Sequence, residues 1–283
     1  MKIEKDRNVP RPEKAGAPSP LLAFSELPRA FAELTLLAST YRSLLSIAPR
    51  GDGHPVLVLP GLLAGDRSTA ALRRTLRKLG YEARPWTLGV NRGPRAIGDD
   101  GEHLVARVEA IFRETGRKVS LVGWSLGGIF ARLMARRIPD RIRRVITLGS
   151  PFSGSPSATN AAAIYELASA TRVDDARNQA LLHELRAPPK VPSSAFYSRG
   201  DGVCAWQACR EDGGEQSESI EVYGSHCGLG VNPTVIYAVA DRLALDEGRL
   251  DRFRPAGLAG FLYPASDPAD QLNRRPAAPP TGS

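Results

Sequence analysis

The chain contains few of the residues from which disulfide frameworks and metal centres are built. Its 283 residues include three cysteines and four histidines, and three cysteines do not make a disulfide framework. Cys209 and Cys227 could form one bridge if the C-terminal loops meet, but reduced thiols are expected in a cytoplasm. Cys204 and Cys209 lack a second pair of ligands at metal-binding spacing, so we expect no metal site.

Long hydrophobic runs are also missing. No apolar stretch reaches the length of about 20 residues that a membrane-spanning helix requires. Residues 1–17 are charged and rich in proline, and they lack the continuous apolar core of a signal peptide. We therefore expect a protein without a stable membrane span, located in the cytoplasm.

Acidic residues are outnumbered by basic ones. The chain has 38 Lys and Arg against 30 Asp and Glu, a formal net charge of +8, so nucleic-acid binding has to be considered. The arginines, however, are scattered over several helical segments, and no nucleic-acid-binding motif accompanies them. The charge therefore predicts a solvated basic surface and no nucleic-acid partner.

The composition is otherwise that of a globular protein, with 42% hydrophobic and 24% charged residues. Changes in composition predict a disordered tail over 1–19, a helical segment over 20–49, one main domain over 50–250 and a loop-like tail over 251–283. Within the main domain, residues 151–192 interrupt the pattern and predict a small helical cap insertion.

The segment before the main domain has apolar residues at spacings of three and four, which predicts a helix over 21–47. Pro28 is expected to break this helix or to begin one within it. We favour a helix that packs on the main domain; a helix that binds a partner or a membrane surface is the alternative.

From Pro55 onwards, short apolar runs alternate with helical patterns. This alternation is typical of a parallel sheet covered by helices on both faces. The predicted strands lie at 56–59, 81–88, 119–122, 145–148, 195–198 and 220–223.

The pentapeptide Gly123-Trp124-Ser125-Leu126-Gly127 lies between a predicted strand and a predicted helix. In this context the G-x-S-x-G pattern indicates a nucleophile elbow, a sharp turn that exposes a serine hydroxyl. The two glycines remove side chains where the turn would otherwise collide with its neighbours.

A serine nucleophile needs a base, and the base needs an acid that orients it. Asp201 and His226 each follow a later predicted strand, in the chain order Ser, Asp, His. The carboxyl ends of parallel strands meet at one edge of a sheet, so these loops are expected to meet Ser125. Asp212 is the rival acid, but it lies in a polar glycine-containing loop. The three other histidines are expected to be exposed or structural: His54, His103 and His183.

The segments LVGWSLGG, YSRGDG, GSHCGL and VLVLPGLLAGD resemble the α/β-hydrolase superfamily, in particular bacterial lipases and esterases, over roughly residues 50–245. The resemblance implies an α/β-hydrolase fold with a mostly parallel sheet and a shortened N-terminal sheet edge. It implies Ser125 as nucleophile, Asp201 as acid and His226 as base. The oxyanion-hole amides would be those of Leu126 and Leu62, the latter after Pro60-Gly61 where many relatives have His-Gly.

The expected activity is hydrolysis of carboxylic esters through an acyl-enzyme, with no cofactor. Four apolar residues near the nucleophile suggest an apolar acyl group and a small ester or lipid as substrate: Leu63, Trp124, Phe152 and Leu229. Two alternatives remain: an acyltransferase that uses the same triad, and a non-catalytic binding protein on the same fold.

Overall fold

The computed structural model describes residues 17–98, 100–153, 160, 183–255 and 257–264. These residues contain a six-stranded sheet with the strand order β2-β1-β3-β4-β5-β6. Every neighbouring pair is parallel, so the predicted alternation is confirmed. The strands are β1 Pro55–Leu59, β2 Glu82–Pro85, β3 Val119–Trp124, β4 Ile142–Leu148, β5 Ser193–Tyr197 and β6 Ser217–Glu221.

Helices cover both faces of this sheet. They are α1 Pro20–Ile47, α2 Ala70–Lys78, α3 Pro94–Ile97, α4 Glu102–Thr115, α5 Leu126–Arg137 and α6 Pro233–Ala244. The side chains of strand β1 alternate between two hydrophobic clusters, one on each face of the sheet. Val56 and Val58 join a cluster formed with α1, α2 and α6, whereas Leu57 and Leu59 join one formed with α4 and α5.

The last two strands begin earlier than the apolar pattern predicts, because their first residues are buried polar side chains. The Ser194 hydroxyl donates to Glu218 Oε1 over 2.8 Å, and Arg242 Nη1 donates to the same oxygen over 3.0 Å. Burying such groups is tolerated when each finds a partner. A search for apolar runs therefore misses the start of β5 and β6.

Helix α1 is continuous, so the predicted interruption at Pro28 is wrong. The Ser19 side chain caps it by accepting from the Leu22 amide. Leu37 and Leu44 pack into the core beside α6, which confirms the expectation that the helix packs on the domain. Its outward face nevertheless leaves Phe24 and Phe31 exposed.

Part of the excess positive charge is buried rather than solvated. Arg144 is 1% exposed, and its Nη2 donates to three backbone carbonyls that follow α6. Arg132 and Arg242 are buried against carboxylates. The expectation of a solvated basic surface is thus wrong for these side chains, which satisfy oxygen atoms inside the fold.

Other expectations concern parts of the chain outside the described residues. These are the tails at 1–16 and 265–283 and most of the cap insertion, including 161–182. Residues 183–186 are helical. None of the three cysteines forms a disulfide. Among the helices that the structure describes, none combines the length and the apolar character needed to cross a membrane.

Candidate active site

Ser125 lies in the one-residue step between the end of β3 and the start of α5. Its backbone has φ 54° and ψ −123°, a conformation that costs a non-glycine residue roughly 1–3 kcal/mol. The Ser125 amide donates to the Leu148 carbonyl of β4 over 2.8 Å. The neighbouring strand therefore holds the strained residue in place.

The glycines on either side of Ser125 are required by close packing. A Cβ at Gly123 would collide with the Gly127 carbonyl oxygen, and a Cβ at Gly127 would lie 2.5 Å from the Leu59 carbonyl oxygen. Helix α5 therefore approaches β1 and β3 more closely than side chains would permit. The turn has the geometry that the pentapeptide predicts.

Asp201 and His226 are in contact, although they lie in different loops. Asp201 follows β5 and His226 follows β6, and His226 Nδ1 donates to Asp201 Oδ2 over 2.6 Å. The other Asp201 oxygen accepts from the amides of Val203 and Cys204 over 2.8 and 2.7 Å. Because the carboxylate accepts at Nδ1, the neutral form of the imidazole carries its lone pair on Nε2.

The environment of His226 has opposing effects on its pKa. Burial, the largest single effect, disfavours the charged imidazole, but Asp201, Cys204 and Glu26 together outweigh it and raise the pKa of His226. The ring therefore loses its proton at a higher pH than an isolated histidine does.

Trp124 connects the Ser125 turn to the histidine loop. Its Nε1 donates to the His226 carbonyl over 3.0 Å, and the two ring centroids are 6.4 Å apart. A Cβ at Gly149, directly after β4, would lie 3.0 Å from Asp201 Oδ2 and 3.1 Å from His226 Nδ1. The loops that follow β3, β4, β5 and β6 thus converge at one edge of the sheet.

The loop after β1 completes this edge. A Cβ at Gly61 would lie 3.3 Å from the Ser125 Cβ. Gly61 therefore packs against the serine, and Leu62, the next residue, lies close to it. The Leu63 amide donates to the Asn91 carbonyl over 2.7 Å. In contrast, the amides of Leu62 and Leu126 donate to no acceptor in the described part of the chain.

The four residues expected to bind substrate have different environments. Leu63 is 51% exposed, whereas Phe152 and Leu229 have no exposed surface. Leu229 lies close to the histidine, since a Cβ at Gly149 would be 2.9 Å from Leu229 Cδ1 and 3.1 Å from His226 Nδ1. Phe152 lies in the core with the Arg132 guanidinium 3.7 Å from its ring centroid. The structure thus brings Leu229 and Trp124 to His226 but keeps Phe152 in the core.

Several residues at the site were not found from the sequence. Asn91 fixes the Leu62 loop by donating from Nδ2 to the Pro60 carbonyl over 2.8 Å. Glu26 and Glu33 of α1 accept hydrogen bonds from the loops that carry Asp201 and His226. A signal for the two acids was present, because they share the buried helix face with Leu37 and Leu44 and charges are rare there.

The remaining histidines differ from His226 in position. His54 is completely buried at the opposite edge of the sheet, where its Nδ1 meets Asp52 Oδ1 at 2.5 Å and its Nε2 meets Ser120 Oγ at 2.9 Å. It is therefore structural, one of the two roles expected for it. His103 and His183 are exposed.

One group near the site has atoms that a metal ion could use. Potential ligand atoms of Asp201, Cys204 and His226 lie within 4.8 Å of one another, and all three residues are buried. An ion there would have to replace the hydrogen bond between Asp201 and His226. The present contacts instead suit an acid that orients a base.

The arrangement has counterparts among known proteins. A family model described as the alpha/beta hydrolase fold matches residues 87–182. Aspergillus fumigatus lipase B superposes with a TM-score of 0.52 at 14% identity, over 69% of this chain and 53% of that lipase. The chain has the α/β-hydrolase fold. In the described part of this hydrolase fold no strand precedes β1, and α1 comes before it instead.

Two bacterial proteins share sequence with this hydrolase-fold chain. A triacylglycerol lipase of Burkholderia plantarii is 27% identical over 140 residues, which cover 47% of this chain and 39% of the lipase. One of Pseudarthrobacter phenanthrenivorans is 28% identical over 109 residues, covering 36% of this chain and 34% of the lipase. The resemblance to bacterial lipases is confirmed, although the chain spans well under half the length of either relative.

Proposed function

We propose that the protein is a serine hydrolase that cleaves carboxylic esters through an acyl-enzyme intermediate. The observation that carries the proposal is the buried pair of Asp201 and His226 at the sheet edge where Ser125 occupies its strained turn. An acid, a base and a half-buried serine on three loops at the same sheet edge form the set that acyl transfer needs.

In this mechanism the Ser125 hydroxyl attacks the ester carbonyl while His226 Nε2 takes its proton. The tetrahedral intermediate then collapses, and the imidazolium returns the proton to the departing alcohol. A water molecule attacks the acyl-enzyme with His226 again as base, which releases the acid and restores the serine. Asp201 keeps Nδ1 protonated throughout and stabilises the charged ring.

The developing oxyanion requires donors that are not already in use. The amides of Leu62 and Leu126 meet this requirement, because neither donates elsewhere among the described residues. Leu126 is also the first residue of α5, where the helix dipole favours negative charge. We assign the oxyanion hole to these two amides.

An ester with an apolar acyl group is the substrate class that fits best. Leu63 is exposed next to the proposed oxyanion donor, and Trp124 lies beside His226. The two bacterial relatives are described as triacylglycerol lipases. We therefore extend the proposal to lipids or medium-chain esters.

A panel of p-nitrophenyl esters with graded acyl length tests the proposal. Wild type should hydrolyse members of the panel, while Ser125→Ala should lose at least about 10³-fold in kcat because the nucleophile is gone. Ser43→Ala, which changes an exposed serine of α1, is the matched control and should retain wild-type rates. Esterase activity that survives in Ser125→Ala would remove this serine from the mechanism.

Adding an alcohol and analysing the products separates hydrolysis from acyl transfer.

A further inference from the structure

Glu26 is a buried carboxylate in a helix far along the chain from the proposed triad. Only 4% of the residue is exposed. Its Oε1 accepts from the amide of Gly202 over 2.7 Å and from the amide of His226 over 3.0 Å. Its Oε2 accepts from the amide of Cys227 over 2.8 Å.

These donors belong to the two loops that carry the acid and the base. Gly202 directly follows Asp201, and the second amide is that of His226 itself. A single carboxylate therefore links the two backbones on which the 2.6 Å contact between Asp201 and His226 depends. Charged acceptors of this kind form stronger and more directional hydrogen bonds than neutral ones.

The rest of α1 keeps Glu26 at this junction. Arg29 Nη2 donates to Glu26 Oε1 over 2.9 Å, while its Nη1 donates to the Gly200 carbonyl over 2.6 Å. A Cβ at Gly202 would lie 2.5 Å from the Leu22 carbonyl oxygen, so the helix backbone rests directly on the loop. Glu33, two turns later, accepts from the Ser225 amide over 2.7 Å.

We propose that Glu26 is a positioning residue that fixes Asp201 and His226 relative to each other. The inference rests on the proposed function of the triad. The carboxylate form matters, because both oxygens accept from backbone amides. A glutamine would turn an NH2 group toward one of these donors and leave a buried amide unpaired.

The charge of Glu26 also acts on the His226 imidazole. Burial disfavours the imidazolium, while Asp201, Cys204 and Glu26 favour it and raise the pKa of His226. The other charged or titratable groups that face this part of the loop are Arg29, paired with Glu26, together with Glu33 and Cys227. Removing the Glu26 charge should therefore lower the pKa of His226.

The test compares Glu26→Gln with Glu26→Asp and with Leu37→Ala. Leu37→Ala loosens the packing of the same helix face but leaves every charge in place. For Glu26→Gln we expect kcat to fall on the order of 10- to 100-fold with little change in KM, as for a small misplacement of catalytic groups. The rising limb of its kcat/KM profile should move to lower pH by at least about 0.5 unit. Glu26→Asp keeps the charge on a shorter side chain, so its kcat should fall while the midpoint of its kcat/KM profile stays at the wild-type pH.

A second measurement does not depend on activity. The His226 imidazole can be titrated by NMR, with its signals identified by their loss in His226→Asn. Its pKa should be lower in Glu26→Gln than in wild type, whether or not the protein hydrolyses esters. If Glu26→Gln does not fold, Glu26→Asp provides the test: its kcat should be lower than that of wild type, while the midpoint of its kcat/KM profile against pH should be unchanged.

Two results would overturn the inference. One is wild-type kcat and an unchanged His226 titration in Glu26→Gln; the other is an equal loss and an equal shift in Leu37→Ala. A wild type that neither hydrolyses esters nor reacts with a fluorophosphonate contradicts the proposed function instead. In that case the NMR titration still decides the role of Glu26 at His226.

Discussion

At the scale of single residues, the site depends on backbone atoms as much as on side chains. Ser125 adopts φ 54° because its amide is held by Leu148 and because Gly123 and Gly127 admit close packing. Asp201 is held in a similar way, by the amides of Val203 and Cys204. The backbone thus fixes Ser125 and Asp201 in place, which is what the proposed mechanism requires, because electrostatic catalysis depends on groups that are positioned in advance.

Asp201→Asn tests the assignment of the acid. The new side chain can keep one carbonyl oxygen toward the two loop amides, so we expect the fold to persist. The amide no longer accepts strongly from His226 Nδ1, so the imidazole adopts the tautomer with its proton on Nε2. This tautomer cannot take the proton of Ser125, and kcat should fall on the order of 10⁴-fold. The loss in kcat is measured from the rates at which wild type and Asp201→Asn hydrolyse a p-nitrophenyl ester.

Asp212→Asn is the matched control for the acid. Asp212 is exposed and pairs with Arg186, and exposed ion pairs contribute little. We expect its kcat to stay within about twofold of wild type. The assignment fails if Asp212→Asn loses more activity than Asp201→Asn.

At the scale of elements, the sequence predicts what depends on local pattern and misses what depends on distant contacts. β1 and β3 are found because they are short apolar runs buried on both faces. The start of β6 is missed because Glu218 is polar and acquires its partners only in the fold. Glu26 is missed because its partner Gly202 lies 176 residues away.

The same limit applies to Arg132, which joins α5 to two other segments. Its guanidinium pairs with Glu211 at 2.5 Å and donates to the Leu185 carbonyl at 2.8 Å, with both side chains at most 2% exposed. Arg132→Met leaves the buried Glu211 carboxylate without its charged partner, although the Ser193 hydroxyl still donates to it, and should lower the free energy of unfolding by about 3–5 kcal/mol. Urea titration provides the measurement.

Two further variants complete this experiment. Arg137→Met changes an exposed arginine that pairs with the exposed Asp100 at 3.8 Å, and its free energy of unfolding should stay within about 0.5 kcal/mol of wild type. Arg132→Met/Glu211→Leu removes both charges and should recover part of the loss. A cost below about 1 kcal/mol for Arg132→Met would show that the pair does not hold these segments together.

The opposite edge of the sheet makes stability depend on pH. Burial lowers the pKa of His54 to about 4 in spite of its contact with Asp52, whereas an unfolded histidine titrates near 6.5. Between these values the unfolded chain binds a proton that the folded protein does not, so stability falls as the pH drops. The contribution of His54 amounts to about 3 kcal/mol over this window.

Unfolding in urea between pH 7 and pH 4 measures this contribution. The difference in unfolding free energy between wild type and His54→Gln should shrink as the pH falls, because only wild type loses the His54 contribution. Ser120→Ala removes the hydroxyl partner but keeps the titrating ring, so its curve should run parallel to wild type. A difference that stays constant over the whole range contradicts this explanation.

At the scale of the whole molecule, two layers of contacts form one site. The parallel sheet brings the ends of β1, β3, β5 and β6 to a common edge, as in the α/β-hydrolase fold of lipase B. Helix α1, which comes before the first described strand, then reaches this edge with Glu26 and Glu33. The sheet sets the positions of Ser125, Asp201 and His226, and α1 adds hydrogen bonds to the loops that carry Asp201 and His226.

The central claim is that Ser125 is an activated nucleophile, and covalent labelling tests it most directly. Wild type is incubated with a fluorophosphonate, and the modified peptide is identified by mass spectrometry. The proposed mechanism predicts a single adduct on Ser125, no adduct in Ser125→Ala, and labelling slowed on the order of 10³-fold in Asp201→Asn. An unlabelled wild type that is folded, or an adduct on any other residue, would contradict the mechanism.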